Sequence, residues 1–189
     1  MTRSSKYDAG FTLPEMLVSM LIFSLLAMMA GGVIISTSLA ERTIRSVTGG
    51  TTEGQLAVDS IETGIRNSSA FKVVAVGTDQ LVLARIPRGA NNVIYNCAAW
   101  YFDSGTGTGT GTISYKESST TIATPSASVL STWTQLASKV DTASGTAFIV
   151  NGDTLEIVYE VSAGTDYPPT TINTSVNSRA EVTESSPCF

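Results

Sequence analysis

Two cysteines, sixteen carboxylates and no histidine are what this chain of 189 residues has to do chemistry with. Without histidine there is no Ser-His-Asp or Cys-His catalysis and no His-ligated metal site. A carboxylate pair, a Ser–Lys dyad or a Cys nucleophile remain. Asp153 and Glu156 are among the closest acids in the C-terminal region, but on a strand that spacing sends them to opposite faces. Lys72, Lys116 and Lys139 each lie a few residues from a serine, which chance alone supplies in so Ser-rich a chain. Asp103, Asp141, Asp153 and Asp166 offer oxygen ligands for calcium from loops, without EF-hand spacing. Residues 105–112 repeat Gly-Thr with no lysine inside, so they do not form a phosphate-binding P-loop. These readings predict no enzyme, no cofactor and no metal.

One carboxylate stands apart. Glu15 heads an uncharged apolar run over residues 16–35, about the 20 residues that a helix needs to cross a bilayer. An unpaired acid there costs on the order of a few kcal/mol. A cut after Gly10 would create an α-ammonium on Phe11, four residues before Glu15. A secretory signal peptide with Arg3 and Lys6 as its basic region fits less well, because the apolar run is too long and an acid at its start is atypical. A plain single-span anchor leaves the order Gly10-Phe11-Thr12-Leu13-Pro14-Glu15 unexplained.

That hexapeptide and the apolar helix after it resemble the N-terminus of type IV pilins and of type II secretion pseudopilins. The resemblance implies that prepilin peptidase cleaves after Gly10 and methylates Phe11, and that Glu15 docks the subunit into a filament. It also implies its partners: prepilin peptidase, other pilins or pseudopilins through the stem, the assembly platform and membrane lipid. The layout, with Asp59-Ser60-Ile61-Glu62, resembles the larger minor pilins and J-like minor pseudopilins. Glu15 departs from the tip-type pseudopilin, whose pattern lacks that acid. Two other classes stay open: a pilus-borne adhesin presenting residues 105–112 and the Pro168-Pro169 loop, and an anchored surface protein that never polymerises.

The composition agrees with an extracytoplasmic role. Arg3 and Lys6 hold the N-terminus in the cytoplasm and send the C-terminal part outward. Losing residues 1–10 removes Arg3, Lys6 and Asp8 and shifts the net charge from −5 to −6, against general nucleic-acid binding. Outside the membrane, Cys97 and Cys188 are expected to form one disulfide rather than remain two buried thiols. Such a bridge would contribute roughly 4–5 kcal/mol at the upper end.

The elements that must position these residues follow from periodicity. A helix over residues 11–47 tolerates Pro14 in its first turn. Ser24, Ala27 and Gly31 form a small-residue stripe for helix packing, or ordinary lipid-facing variety. Residues 48–52, with Gly49-Gly50, are expected to interrupt the helix, and 53–67 to form a second one with Val58, Ile61 and Ile65 on one face. Strands are predicted at residues 71–76, 81–86, 93–102, 112–116, 146–150 and 154–161, with a last one around 179–183. Residues 130–140 read as a short helix or irregular segment, and 164–173 as loop. The fold class is α+β: leader 1–10, helical stem 11–67 with its membrane span at about 16–35, and a β-rich head 68–189.

Overall fold

The computed structural model describes residues 12–88, 94–105, 110–143, 145–164, 167–179 and 188–189. Its elements are α1 (Leu13–Arg66), β1 (Ala70–Val76), β2 (Asp79–Arg88), β3 (Ile94–Asp103), β4 (Gly111–Ser118), α2 (Ala127–Leu130), β5 (Thr134–Asp141), β6 (Phe148–Asn151), β7 (Thr154–Val161) and β8 (Thr170–Asn177). The expected α+β arrangement of a long N-terminal helix and an antiparallel sheet is present. The chain divides between Ile44 and Arg45 into two compact units.

The first unit is the apolar part of α1. The Thr12 carbonyl accepts the Glu15 and Met16 amides at 3.0 and 3.2 Å, so Pro14 falls where no helical donor is missed. The most apolar window has a mean hydropathy of 2.4, and the helix is long enough to cross a membrane. Several of its hydroxyls are satisfied internally: Ser24 donates to Leu21 O at 2.8 Å and Thr37 to Val33 O at 2.8 Å. Such back-bonding lowers the cost of a hydroxyl in hydrocarbon.

In the second unit α1 continues to Arg66 without the expected interruption at residues 48–52. Each helical glycine costs about 1 kcal/mol relative to alanine, and that cost is offset here by contact with the sheet. Gly54, Ala57, Ile61, Gly64 and Ile65 form the buried stripe. A Cβ on Gly54 would stand 2.6 Å from Ile172 Cδ1, and one on Gly64 2.1 Å from Trp100 Cη2. The glycines permit close packing. Ile61 and Ile65 are core residues as expected and Val58 packs against them, while Leu56 faces outward.

The strand order is β1-β2-β3-β4-β5-β7-β6, with β8 also pairing β7. One edge of β7 takes β6 near Thr154 and β5 near Val161, and the other takes β8 along its whole length. The β1–β2 and β6–β7 hairpins have two-residue turns, with Gly77 at φ +64° and Gly152 at φ +62° in the first central position. That is the type II′ pattern, whose twist matches the strands.

Two strand expectations are corrected. Residues 130–140 are mostly strand: α2 is one turn that ends at Leu130 and β5 runs from Thr134 to Asp141. The segment read as loop over 164–173 contains the start of β8, Thr170–Asn177. Of the last strand expected around 179–183, residues 180–183 lie outside the described residues. Alternation of Thr170, Ile172, Thr174 and Val176 towards the core supplies the period of two that Pro168-Pro169 obscures.

The core has two faces. On the helix side Val82, Ala84, Ala98, Trp100, Phe102 and Tyr159 pack with α1. On the other, Leu81, Leu83, Cys97, Ala99 and Tyr101 meet Ile122, Trp133 and Cys188. Neighbouring residues on β2 and β3 are thus buried on opposite faces, which explains their nearly continuous apolar runs.

The glycine contacts give a paired test in the full chain. Gly64→Ala should lose about 1–3 kcal/mol by overpacking against Trp100. Gly49→Ala, whose Cβ meets nothing within 4 Å, should gain about 0.5–1 kcal/mol. Urea denaturation of both variants checks the opposite signs.

Candidate functional site

The candidate site begins at Glu15. It occupies the first turn of α1, where the positive end of the helix dipole favours a carboxylate. Among the described residues nothing donates to that carboxylate; only the Glu15 backbone is engaged, its carbonyl accepting Ser19 Oγ at 2.8 Å. An anion at the head of an apolar helix therefore lacks a partner among them. Gly10 and Phe11 lie outside the described residues.

Cys97 and Cys188 are joined by a disulfide, with Cα atoms 5.4 Å apart and a sequence separation of 91. Both are fully buried. The bridge fastens the C-terminus to β3 on the sheet face away from α1, and Phe189 then lies under Lys72, whose Nζ is 4.9 Å from the ring centroid.

The aspartates considered for calcium do not gather. Asp103 accepts the Gly105 amide at 2.8 Å, Asp141 accepts its neighbour Thr142 at 2.8 Å, and Asp153 is exposed in the β6–β7 turn. Asp166 lies outside the described residues, and among those described no three His, Cys, Asp or Glu side chains cluster. Lys116 sits 5.8 Å from the Trp133 ring centroid. Among the described residues Lys139 is the non-glycine residue at positive φ, +55°, where the β4–β5 register shifts between Ser138 and Val140.

Two polar residues that sequence reasoning left in a turn are structural anchors. Gln80 is buried: its Oε1 accepts the Ala147 and Phe148 amides at 2.7 and 2.9 Å, and its Nε2 donates to Phe148 O at 2.9 Å. It does for β6 what a neighbouring strand would do. Asp79 accepts from Tyr101 OH at 2.8 Å, from the Ser104 amide and hydroxyl at 2.9 and 2.8 Å, and from Thr78. Burial pushes its pKa up, but the donors from Ser104, Tyr101 and Thr78 outweigh burial and hold it below the usual carboxylate value. Nothing in the local sequence marks either residue, because their partners are remote.

Glu117 gathers Asn96, Arg88 and Tyr115 at 2.8, 2.9 and 3.1 Å, and with Asn96 first these donors hold its pKa low. Burial, then the Glu117 charge, pushes Tyr115 up to about 12. This network borders a groove of about 720 Å³ between α1 and β2–β4, with Trp100 and Tyr115 among its lining residues. Trp100 Nε1 is already spent on Ser60 Oγ at 2.9 Å, and no reactive pair lines the groove.

Residues 5–31 match the family model described as the prokaryotic N-terminal methylation motif. No curated protein and no solved structure matches the chain. The matched segment contains Gly10, Phe11 and Glu15 and ends within the apolar helix, so the chain carries the signature of type IV pilins and pseudopilins. The motif and helix together fit a membrane-anchored subunit.

Two tests probe the anchors around this stem. The depressed Asp79 pKa means its contribution is complete at neutral pH and is lost as pH falls through the folded-state value. Asp79→Asn should therefore melt lower than the native chain at neutral pH and lose less on acidification to about pH 3, as thermal melts at both pH values would show. Cys97→Ser should abolish the mobility difference between reducing and non-reducing gels and cost up to roughly 4–5 kcal/mol in denaturant.

Proposed function

We propose that this chain is a minor pilin or pseudopilin: a structural subunit held in the membrane, trimmed after Gly10, methylated on Phe11 and assembled into a type IV pilus or type II secretion-like filament. The observation that carries the reading is the methylation motif at residues 5–31 in frame with Glu15, an acid at the head of an apolar helix with no partner among the described residues. Cleavage supplies the missing cation. The new ammonium on one stem and the Glu15 carboxylate on a neighbour neutralise each other within the helix bundle.

Such a pair in low dielectric gives back its desolvation cost only in good geometry, so it favours axial register more than raw stability. Head-to-tail repetition that does not close then yields a fibre. The role requires binding and no bond-making by the head, so the chain is read as non-enzymatic. Its partners are prepilin peptidase, neighbouring pilins and the membrane assembly platform, and its head stands outside the inner or plasma membrane.

Mass spectrometry of the chain from cells that contain prepilin peptidase should find a terminus at methylated Phe11. A terminus upstream of Phe11, or trimmed inside the stem, overturns the reading. Glu15→Ala should abolish incorporation into filaments while membrane insertion persists. Normal assembly of that variant would rule out the docking role and favour an anchored protein that does not polymerise.

A further inference from the structure

β8 is an edge strand. Its eight residues pair with β7 in unbroken register, from Thr170 opposite Val161 to Asn177 opposite Thr154, and no strand lies beyond it among the described residues. The Ser178 amide donates to Asp153 O at 3.1 Å and continues that ladder. Bonded and non-bonded pairs alternate in an antiparallel ladder. Thr170, Ile172, Thr174 and Val176 therefore turn their backbone groups towards β7, while Thr171, Asn173, Ser175 and Asn177 turn theirs to the open edge.

Soluble domains blunt such an edge with a charge, a proline or a bulge. Thr170–Asn177 has none of these: the segment is uncharged, rich in β-branched residues and regular throughout. β1, at the far end of the strand order, carries Lys72. Beside the β8 edge lies a hollow of about 390 Å³ between Gln55, Val58 and Asp59 of α1 and Ile172, Asn173 and Thr174 of β8. The other acids nearby on α1 are engaged, Glu53 by Ser138 and Glu62 by Arg66 and Thr174. Asp59 is exposed and has no bonding partner among the described residues.

We propose that the outer edge of β8 takes up an extended segment of another polypeptide, uncharged and β-branched along most of its length, with a lysine or arginine seated over Asp59. The added strand bonds to the outward amides and carbonyls of Thr171, Asn173 and Ser175, the main-chain mode of recognition that strand addition uses elsewhere. Alternate side chains enter the hollow against Val58 and Ile172, and the cation sets the register. Every residue involved belongs to the unit that begins at Arg45, so the proposal stands apart from the Glu15 docking role.

The test uses the full chain in detergent and two capped seven-residue peptides that alternate threonine and valine, one with central lysine and one with central glutamate. The lysine peptide should slow amide hydrogen exchange at Thr171, Asn173 and Ser175 and leave Ile172 and Thr174 unchanged. The glutamate peptide should bind about tenfold more weakly, and Asp59→Asn should shrink that difference. Ser175→Pro removes an outward amide that β7 does not use, a position where an edge strand tolerates proline; it should melt like the native chain yet give no protection. The proposal is overturned if the lysine peptide leaves those amides unprotected, if Ser175→Pro binds it normally, or if protection rises with protein concentration alone, which would make a second copy the occupant.

Discussion

The packing of α1 directly onto the sheet, through glycine and alanine rather than large side chains, is the contact that the rest of the head is arranged around. Gly54 leaves room for Val161 and Ile172, and Gly64 for the Trp100 ring. At this range polar groups also meet: Tyr159 OH donates to Gly54 O at 2.7 Å and Trp100 Nε1 to Ser60 Oγ at 2.9 Å. Both donors are buried aromatics that would lose about 1–3 kcal/mol if left unsatisfied. Burial accordingly pushes the Tyr159 hydroxyl far above its ordinary pKa, so it remains a donor at physiological pH. Apolar contact and hydrogen bonding select the same helix position.

A sheet pressed so closely on one face needs cover on the other. Residues 119–133 and the C-terminal Cys188-Phe189 supply it through Ile122, Trp133 and the disulfide. Because these are irregular segments, their attachment relies on specific bonds: the covalent link to β3 and the Lys72–Phe189 contact. Gln80 and Asp79 act alike at the sheet's far end, where side chains take over hydrogen bonds that no ladder provides. Buried polar groups of this kind contribute only when every partner is in place.

The stem obeys a different rule. Over residues 13–35 its large side chains are exposed and hydroxyls such as that of Ser24 turn back on the helix, so this stretch offers lipid or neighbouring helices an apolar surface headed by one charge, the Glu15 carboxylate. An anion that costs energy in isolation and is relieved by a partner makes association selective.

The stem and its acid were legible in the sequence because they rest on local facts: a run of apolar residues, a charge at its head and a proline in its first turn. The hairpins β1–β2 and β6–β7 were legible for the same reason, since period and turn glycines act over a few residues. Glycines 49 and 50 misled, because propensity describes an isolated helix, whereas here the helix has a sheet to lie on. β8 was hidden because Thr-Thr-Ile-Asn-Thr-Ser-Val-Asn becomes a strand only once β7 offers it a ladder, and β5 because its apolar positions suit either period. Asp79 and Gln80 looked like turn residues, since their partners at Ser104 and Phe148 are 25 and 68 positions away. Sequence by itself determined what each segment can be wherever the deciding interactions are between neighbours along the chain. Tertiary structure alone decided which polar side chains are anchors, whether the helix runs on through Gly49-Gly50 and where β8 joins the sheet, because those follow from partners that only folding brings within reach.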